Sequence, residues 1–164
     1  MIDTINQFAK TYDFPPKMNR IAARGLVIDN GRILLSYEVN TDVYMTPGGG
    51  LEEGETLEEC CKRELREEAG CEVNPLEHFL VINEYCFETC YVSNYFICEK
   101  TGDCNQSLTD IEIEHGITPV WIELDKAIKI FADYPNKRED ISSLYHREFT
   151  VLNKLKLRLS KGRK

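Results

Sequence analysis

The 164-residue sequence contains no apolar run long enough to cross a bilayer, and its mean hydropathy is −0.38. Residues 1–17 lack the charged-then-apolar layout of a signal peptide. Surplus positive charge is missing too: 20 Lys and Arg stand against 28 Asp and Glu, a net charge of −8. An extended nucleic acid wants a basic face, so the charge argues against that partner. None of the seven cysteines forms a CxxC pair, and the paired thiolates of a zinc site are therefore absent. We read them as small buried hydrophobes of a reducing cytosol. With no repeat, low-complexity tract or linker, the expectation is one cytoplasmic domain over residues 1–164 that buries its own core.

What is present alternates between strand and helix signals. Asp3–Tyr12 reads as a short helix ended by Phe14-Pro15-Pro16, within an N-terminal extension at residues 1–17. Residues 21–28 and 33–37 read as a hairpin about Asp29-Asn30-Gly31-Arg32, and Val43–Met45 as a short strand entering a loop at Thr46-Pro47-Gly48-Gly49-Gly50. Thr56 with Glu59 has the capping-box pattern, and Gly70 stands where a helix ends. Residues 79–87 and 90–98 are β-rich, residues 100–115 read as a long loop, and residues 119–123 as a last strand. Residues 125–132 and 141–159 are helical, the second a long C-terminal helix. The fold class expected is α/β, a mixed β-sheet flanked by helices.

The chemistry lies in the helix after the glycines. On a wheel of roughly 100° per residue, Leu57, Cys60, Cys61, Leu65 and Ala69 form the apolar stripe. Glu64 falls between Cys60 and Leu57, Glu68 between Leu57 and Cys61, and Glu67 just beyond Cys60. Spaced i, i+3, i+4, these carboxylates converge beside apolar side chains, which is costly unless something neutralises them. A proton does so; a hard divalent cation does it better, because it takes several oxygen ligands at once. Such a cation also lets an acidic protein handle a phosphate substrate. Three consecutive glycines free the adjoining backbone for close approach to a ligand.

The pattern Gly49, five residues, Glu55, seven residues, Arg63-Glu64-Leu65-Arg66-Glu67-Glu68-Ala69-Gly70 resembles the signature of the Nudix hydrolases. It covers residues 49–71 and departs from the usual aliphatic residue at Cys71. Its fixed residue types coincide by chance on the order of 10⁻⁸ per starting position at ordinary composition. The resemblance implies a Nudix-like α/β/α sandwich that hydrolyses a diphosphate linkage in a nucleotide-like small molecule. It also implies that Glu64, Glu67 and Glu68 ligate Mg²⁺ or Mn²⁺, that the Gly48 carbonyl joins them, and that Arg63 and Glu55 hold each other. Either Glu67 or Glu68 serves as general base. Some relatives take an acid from a later loop, where Glu112 and Glu114 flank Ile113 here.

The substrate pocket is less sharply marked. Tyr85 and Tyr91 are candidates to line it and Arg24 to meet phosphate, although strand aromatics more often belong to the core. Lys154, Lys156, Arg158, Lys161, Arg163 and Lys164 make a basic C-terminus that complements a helix end. Two other classes compete with the hydrolase. A nucleotide-sensing module without turnover would lose the glutamates this chain keeps. A prenyl-diphosphate isomerase would need a reactive cysteine with a partnering acid, and none stands out. Residues 1–17 are the candidate contact with a second subunit of a homodimer.

Overall fold

The computed structural model describes residues 2–161, so Arg163 and Lys164 of the basic tail lie outside the described residues. Among these, eight strands form one mixed sheet: β1 (Asp3–Tyr12), β2 (Met18–Asp29), β3 (Arg32–Glu38), β4 (Val43–Met45), β5 (Gly48–Gly50), β6 (Cys71–Phe87), β7 (Thr89–Asp103) and β8 (Ile117–Glu123). Their order is β1-β6-β7-β2-β3-β4, with β5 against β2 and β8 against β3. The first part of β2 runs parallel to β7, while its last residues pair with β3 through the Asn30-Gly31 turn. Both turn residues have positive φ, 48° and 77°, as a two-residue hairpin requires.

Among the described residues the α-helices are α1 (Leu57–Ala69), α2 (Asp110–His115), α3 (Leu124–Phe131) and α4 (Glu139–Lys161); α1, α3 and α4 cover the sheet, while α2 buries no side chain. On one face α1 buries Cys60, Cys61 and Leu65 against Ala23, Val27, Leu34 and Phe96. On the other, α3 and α4 bury Phe131, Leu152 and Leu155 against Leu26, Leu35, Ile82 and Tyr95. The α/β sandwich expected from the sequence is the one observed.

Three local expectations are corrected. Asp3–Tyr12 is strand β1, parallel to β6 from Asp3↔Leu80 to Phe8↔Tyr85. It forms because β6 offers a free edge, and the polar Gln7 is buried there by donating its Nε2 to Thr150 Oγ1 of α4 at 2.7 Å. The glycine loop is strand-paired rather than free, with Gly48–Gly50 antiparallel to Ala22–Arg24 as β5. The long loop expected at residues 100–115 contains the end of β7 and the helix α2. The Thr109/Glu112 capping box that starts α2 is the same signal that marks α1 at Thr56/Glu59.

Candidate active site

Helix α1 begins at Thr56, whose hydroxyl accepts from Glu59 N–H at 3.2 Å while the Glu59 carboxylate accepts from Thr56 N–H at 2.8 Å. It ends at Gly70 in the left-handed conformation. Both ends being fixed, the wheel positions become fixed positions in space. Cys60, Cys61, Leu65 and Ala69 are buried as expected, and Glu68 is buried with them at 4 % exposure.

Two glycines let the loop meet these acids. A Cβ on Gly49 would fall 2.5 Å from Glu64 Oε2, so only glycine leaves the Glu64 carboxylate its place. Gly48 has φ of +148°, and a Cβ there would lie 2.3 Å from the Ala23 carbonyl oxygen. In that conformation Gly48 N–H donates to Glu68 Oε2 at 2.8 Å. The fully buried Ser36 hydroxyl faces the same carboxylate without completing a hydrogen bond. Burial pushes the Glu68 carboxyl up to about 7, against the opposing pull of the Gly48 amide and of Arg24. Glu64 is raised as well, by burial first, with Arg63 opposing and Glu67 and Glu112 adding to the rise.

Arg63 organises the outer side of the group. Its Nε and Nη2 donate to the two oxygens of Glu55 at 2.8 and 3.0 Å, a bidentate pair, and Nη2 reaches the Gly50 carbonyl at 3.0 Å. Its Nη1 donates to Glu64 Oε1 at 2.7 Å and to Glu67 Oε2 at 3.3 Å. The guanidinium thereby ties the glycine strand to the helix and holds the Glu55 carboxyl below the usual range. Glu55, an unremarkable surface acid by spacing alone, is a fixed part of the site.

The remaining candidates separate. Glu112 is held by its own capping box on α2, and its charge bears on Glu64, whereas Glu114 is exposed. Arg24 donates from Nη1 to the Thr46 carbonyl at 3.0 Å, next to the glycines. Strand register puts Arg24, Tyr91 and Tyr95 on the α4 side of the sheet. Tyr85 lies on the opposite face, stacked on Phe8 with centroids 4.8 Å apart, and so does not join Arg24 and Tyr91. Beside Arg63 and Glu67 opens a cleft of about 700 Å³, rimmed by Lys62, Arg66 and Asn105.

Sequence reasoning missed two supports of the site. The segment after β7 crosses the C-terminal end of α1: Gln106 Nε2 donates to the Glu68 carbonyl at 2.6 Å and Ser107 N–H to the Glu67 carbonyl at 2.8 Å. Behind the glycines, Thr46 Oγ1 donates to Glu148 Oε2 of α4 at 2.9 Å. Neither carries a spacing signal, because both join residues distant in sequence.

A helix of inward-turned acids, locked by a bidentate arginine to a glycine strand on a mixed sheet between helical layers, defines a Nudix-type hydrolase. The chain belongs to the NUDIX domain family, whose model matches residues 18–144. Among solved structures, a NUDIX hydrolase from Nitrosomonas europaea superposes with a TM-score of 0.62 at 20% identity, over 81% of this chain and 89% of that one. A MutT NUDIX hydrolase from Burkholderia pseudomallei gives 0.54 at 20% identity, over 65% and 84%. An ADP-ribose pyrophosphatase from Streptococcus suis gives 0.54 at 13% identity, over 84% and 91%.

Proposed function

We propose that this chain hydrolyses a diphosphate linkage in a nucleoside diphosphate derivative or a nucleoside triphosphate, by attack of water on phosphorus, in the cytoplasm. Mg²⁺ or Mn²⁺ is held by Glu64, Glu67, Glu68 and the Gly48 carbonyl. The observation that carries this reading is Glu68, a carboxyl 4 % exposed and raised to about 7, set against a glycine strand that the Glu64 carboxylate approaches more closely than any side chain would allow. A group in that state needs a proton or a cation.

The donor set suits a hard ion. Among the described residues no three side chains are already gathered in ligating geometry. Glu64 and Glu67 each engage Arg63 through one oxygen and keep the other for a ligand. When bound, the ion neutralises diphosphate oxygens and acidifies a water molecule. The protein does the rest. Arg63 and Glu55 keep the glycine strand in register with α1, and Glu68 holds the Gly48 amide. Arg24 fixes the Thr46 carbonyl beside the glycines, and Glu112 adds negative charge beside Glu64.

The proton from the attacking water goes to Glu67 or Glu68. Glu67 is the more open, its side chain 45% exposed, while Glu68 is buried with its carboxyl raised to about 7, near the pH at which a general base works. The test is a panel of nucleotides assayed for released phosphate or pyrophosphate with Mg²⁺, and again with EDTA. Release that is undiminished by EDTA contradicts the metal assignment. A nucleotide that raises the melting temperature and is never cleaved favours a sensing module.

A further inference from the structure

Among the described residues six of the seven cysteines are buried, as small apolar side chains should be, and Cys104 is half-buried. Cys104 forms part of the wall of two clefts at the C-terminal end of α1. One is the cleft of about 700 Å³ beside Arg63 and Glu67; the other, of about 410 Å³, is lined by Cys71, Lys100, Gln106 and Trp121 as well. Cys71, the residue that departs from the signature, therefore shares an open cleft with the one cysteine that is not buried.

The backbone brings these two residues side by side. Asp103 opposes Cys71 at the end of the β6–β7 ladder, and the next residue, Cys104, donates its N–H to the Gly70 carbonyl at 2.9 Å. Chains joined in this way hold neighbouring α-carbons within the roughly 4.4–6.8 Å that a disulfide spans. Both side chains lie on the α1 side of the sheet. Cys71 belongs to the core beneath α1, and the Cys104 thiol donates to the Arg66 carbonyl at 3.7 Å. Their surroundings separate two roles. Burial pushes the Cys71 thiol up to about 11, with Lys100 pulling the other way. Cys104, open to either cleft, is the thiol that an oxidant meets first.

We propose that Cys104 and Cys71 are an oxidisable pair that closes to a disulfide when the protein meets a peroxide. The Cys104 thiolate attacks one peroxide oxygen, the O–O bond breaks, and the other oxygen leaves as water after taking up a proton. Cys104 is then a sulfenic acid. The Cys71 sulfur attacks the Cys104 sulfur, the S–O bond breaks, and the hydroxyl leaves as a second water with the Cys71 proton. Two thiols lose two electrons, and one peroxide is reduced to two waters. Cys61 and Cys98 are the competing pair, their sulfurs 3.8 Å apart. They are sealed, at 0% and 5% exposure, and the Cys98 contact and burial push the Cys61 thiol up.

The bridge bears on the site through the backbone that follows it. Ser107 N–H and Gln106 Nε2 hold the carbonyls of Glu67 and Glu68. A covalent tie at Cys104 pins the start of that segment to the first residue of β6, next to the Gly70 that ends α1. The pairing itself does not depend on the reaction proposed above.

In the experiment the reduced full chain is treated with hydrogen peroxide, its thiols are counted in denaturant, and cross-linked peptides are mapped by mass spectrometry. The expected result is a loss of two of the seven thiols, one bridge joining Cys71 to Cys104, and recovery of both thiols with dithiothreitol. Cys71→Val should leave a Cys104 sulfenic acid that dimedone captures, and Cys104→Ser should keep all its remaining thiols. Far-ultraviolet circular dichroism verifies that each variant is folded, and the wild-type map stands without them. Retention of all seven thiols overturns the proposal. A bridge between Cys61 and Cys98 alone, or oxidation of Cys104 with no bridge, overturns it equally.

Discussion

Glu68 is where the local energetics and the proposed chemistry meet. Its carboxyl is raised by burial, so its ionisation costs the metal-free fold stability. The folded protein keeps this proton between about 4.5 and about 7, where the unfolded chain has already lost it. Stability of the metal-free protein therefore falls as pH rises through that window and levels off above it, by at most ~3.4 kcal/mol at 1.36 kcal/mol per pKa unit. Glu68→Gln removes the buried charge but keeps an oxygen for the Gly48 amide. It should raise the metal-free melting temperature at pH 8 by several degrees, at roughly 2–4 °C per kcal/mol, while abolishing turnover. A scanning calorimetry trace showing a lower melting temperature would place Glu68 in the scaffold instead. Arg63→Lys keeps the charge and loses the fork that grips both oxygens of Glu55. Misplacing the glycine strand by about an ångström costs on the order of 10²-fold in kcat, read in a steady-state assay. The helix wheel found Glu64 and Glu68 because their periodicity collides with the apolar stripe. It had no means of finding Ser36, whose relevance comes from β3 facing α1.

At the scale of elements, the site depends on two attachments beyond α1. The backbone of residues 104–107 covers carbonyls that the end of a helix leaves without partners. Behind the glycines, Glu148, fully buried, receives Thr46 Oγ1, Tyr95 OH at 3.2 Å and Arg147 Nη2 at 2.8 Å, while Arg24 holds the Thr46 carbonyl. α4 is thus connected through Thr46 to the strand that presents Gly48. Thr46→Val should cost ~1–3 kcal/mol through the unsatisfied Glu148 oxygen, measured by urea unfolding. It should also lower kcat, and Thr46→Ser should restore both. Loss of stability with unchanged kcat would show that the link serves folding alone. The strands with strong β-branched or aromatic runs were legible in the sequence, as were both ends of α1. β1 was not, since its inward positions Ile5, Gln7 and Ala9 include a polar residue whose burial depends on Thr150, far along the chain. α2 was legible in principle from Thr109 and Glu112, but six residues give too little periodicity to separate a helix from a loop.

The molecule as a whole carries a charge of −8 and a family fold built to act on phosphate compounds, itself anionic chemistry. Within one site Glu55, Glu64 and Glu67 share the Arg63 guanidinium and the buried Glu68 feels Arg24, so four carboxylates outnumber the cations and further positive charge must come with or before the substrate. Activity should therefore vanish in EDTA and return with excess Mg²⁺ or Mn²⁺, whereas unfolding in EDTA alone should remain cooperative, because both cores form without metal contacts. A crystal soaked in Mn²⁺ and measured for anomalous scattering tests the central claim most directly. The account predicts a peak bounded by Glu64, Glu67, Glu68 and the Gly48 carbonyl, with Arg63 still on Glu55. A peak elsewhere, beside a bound nucleotide that does not touch these glutamates, would contradict it.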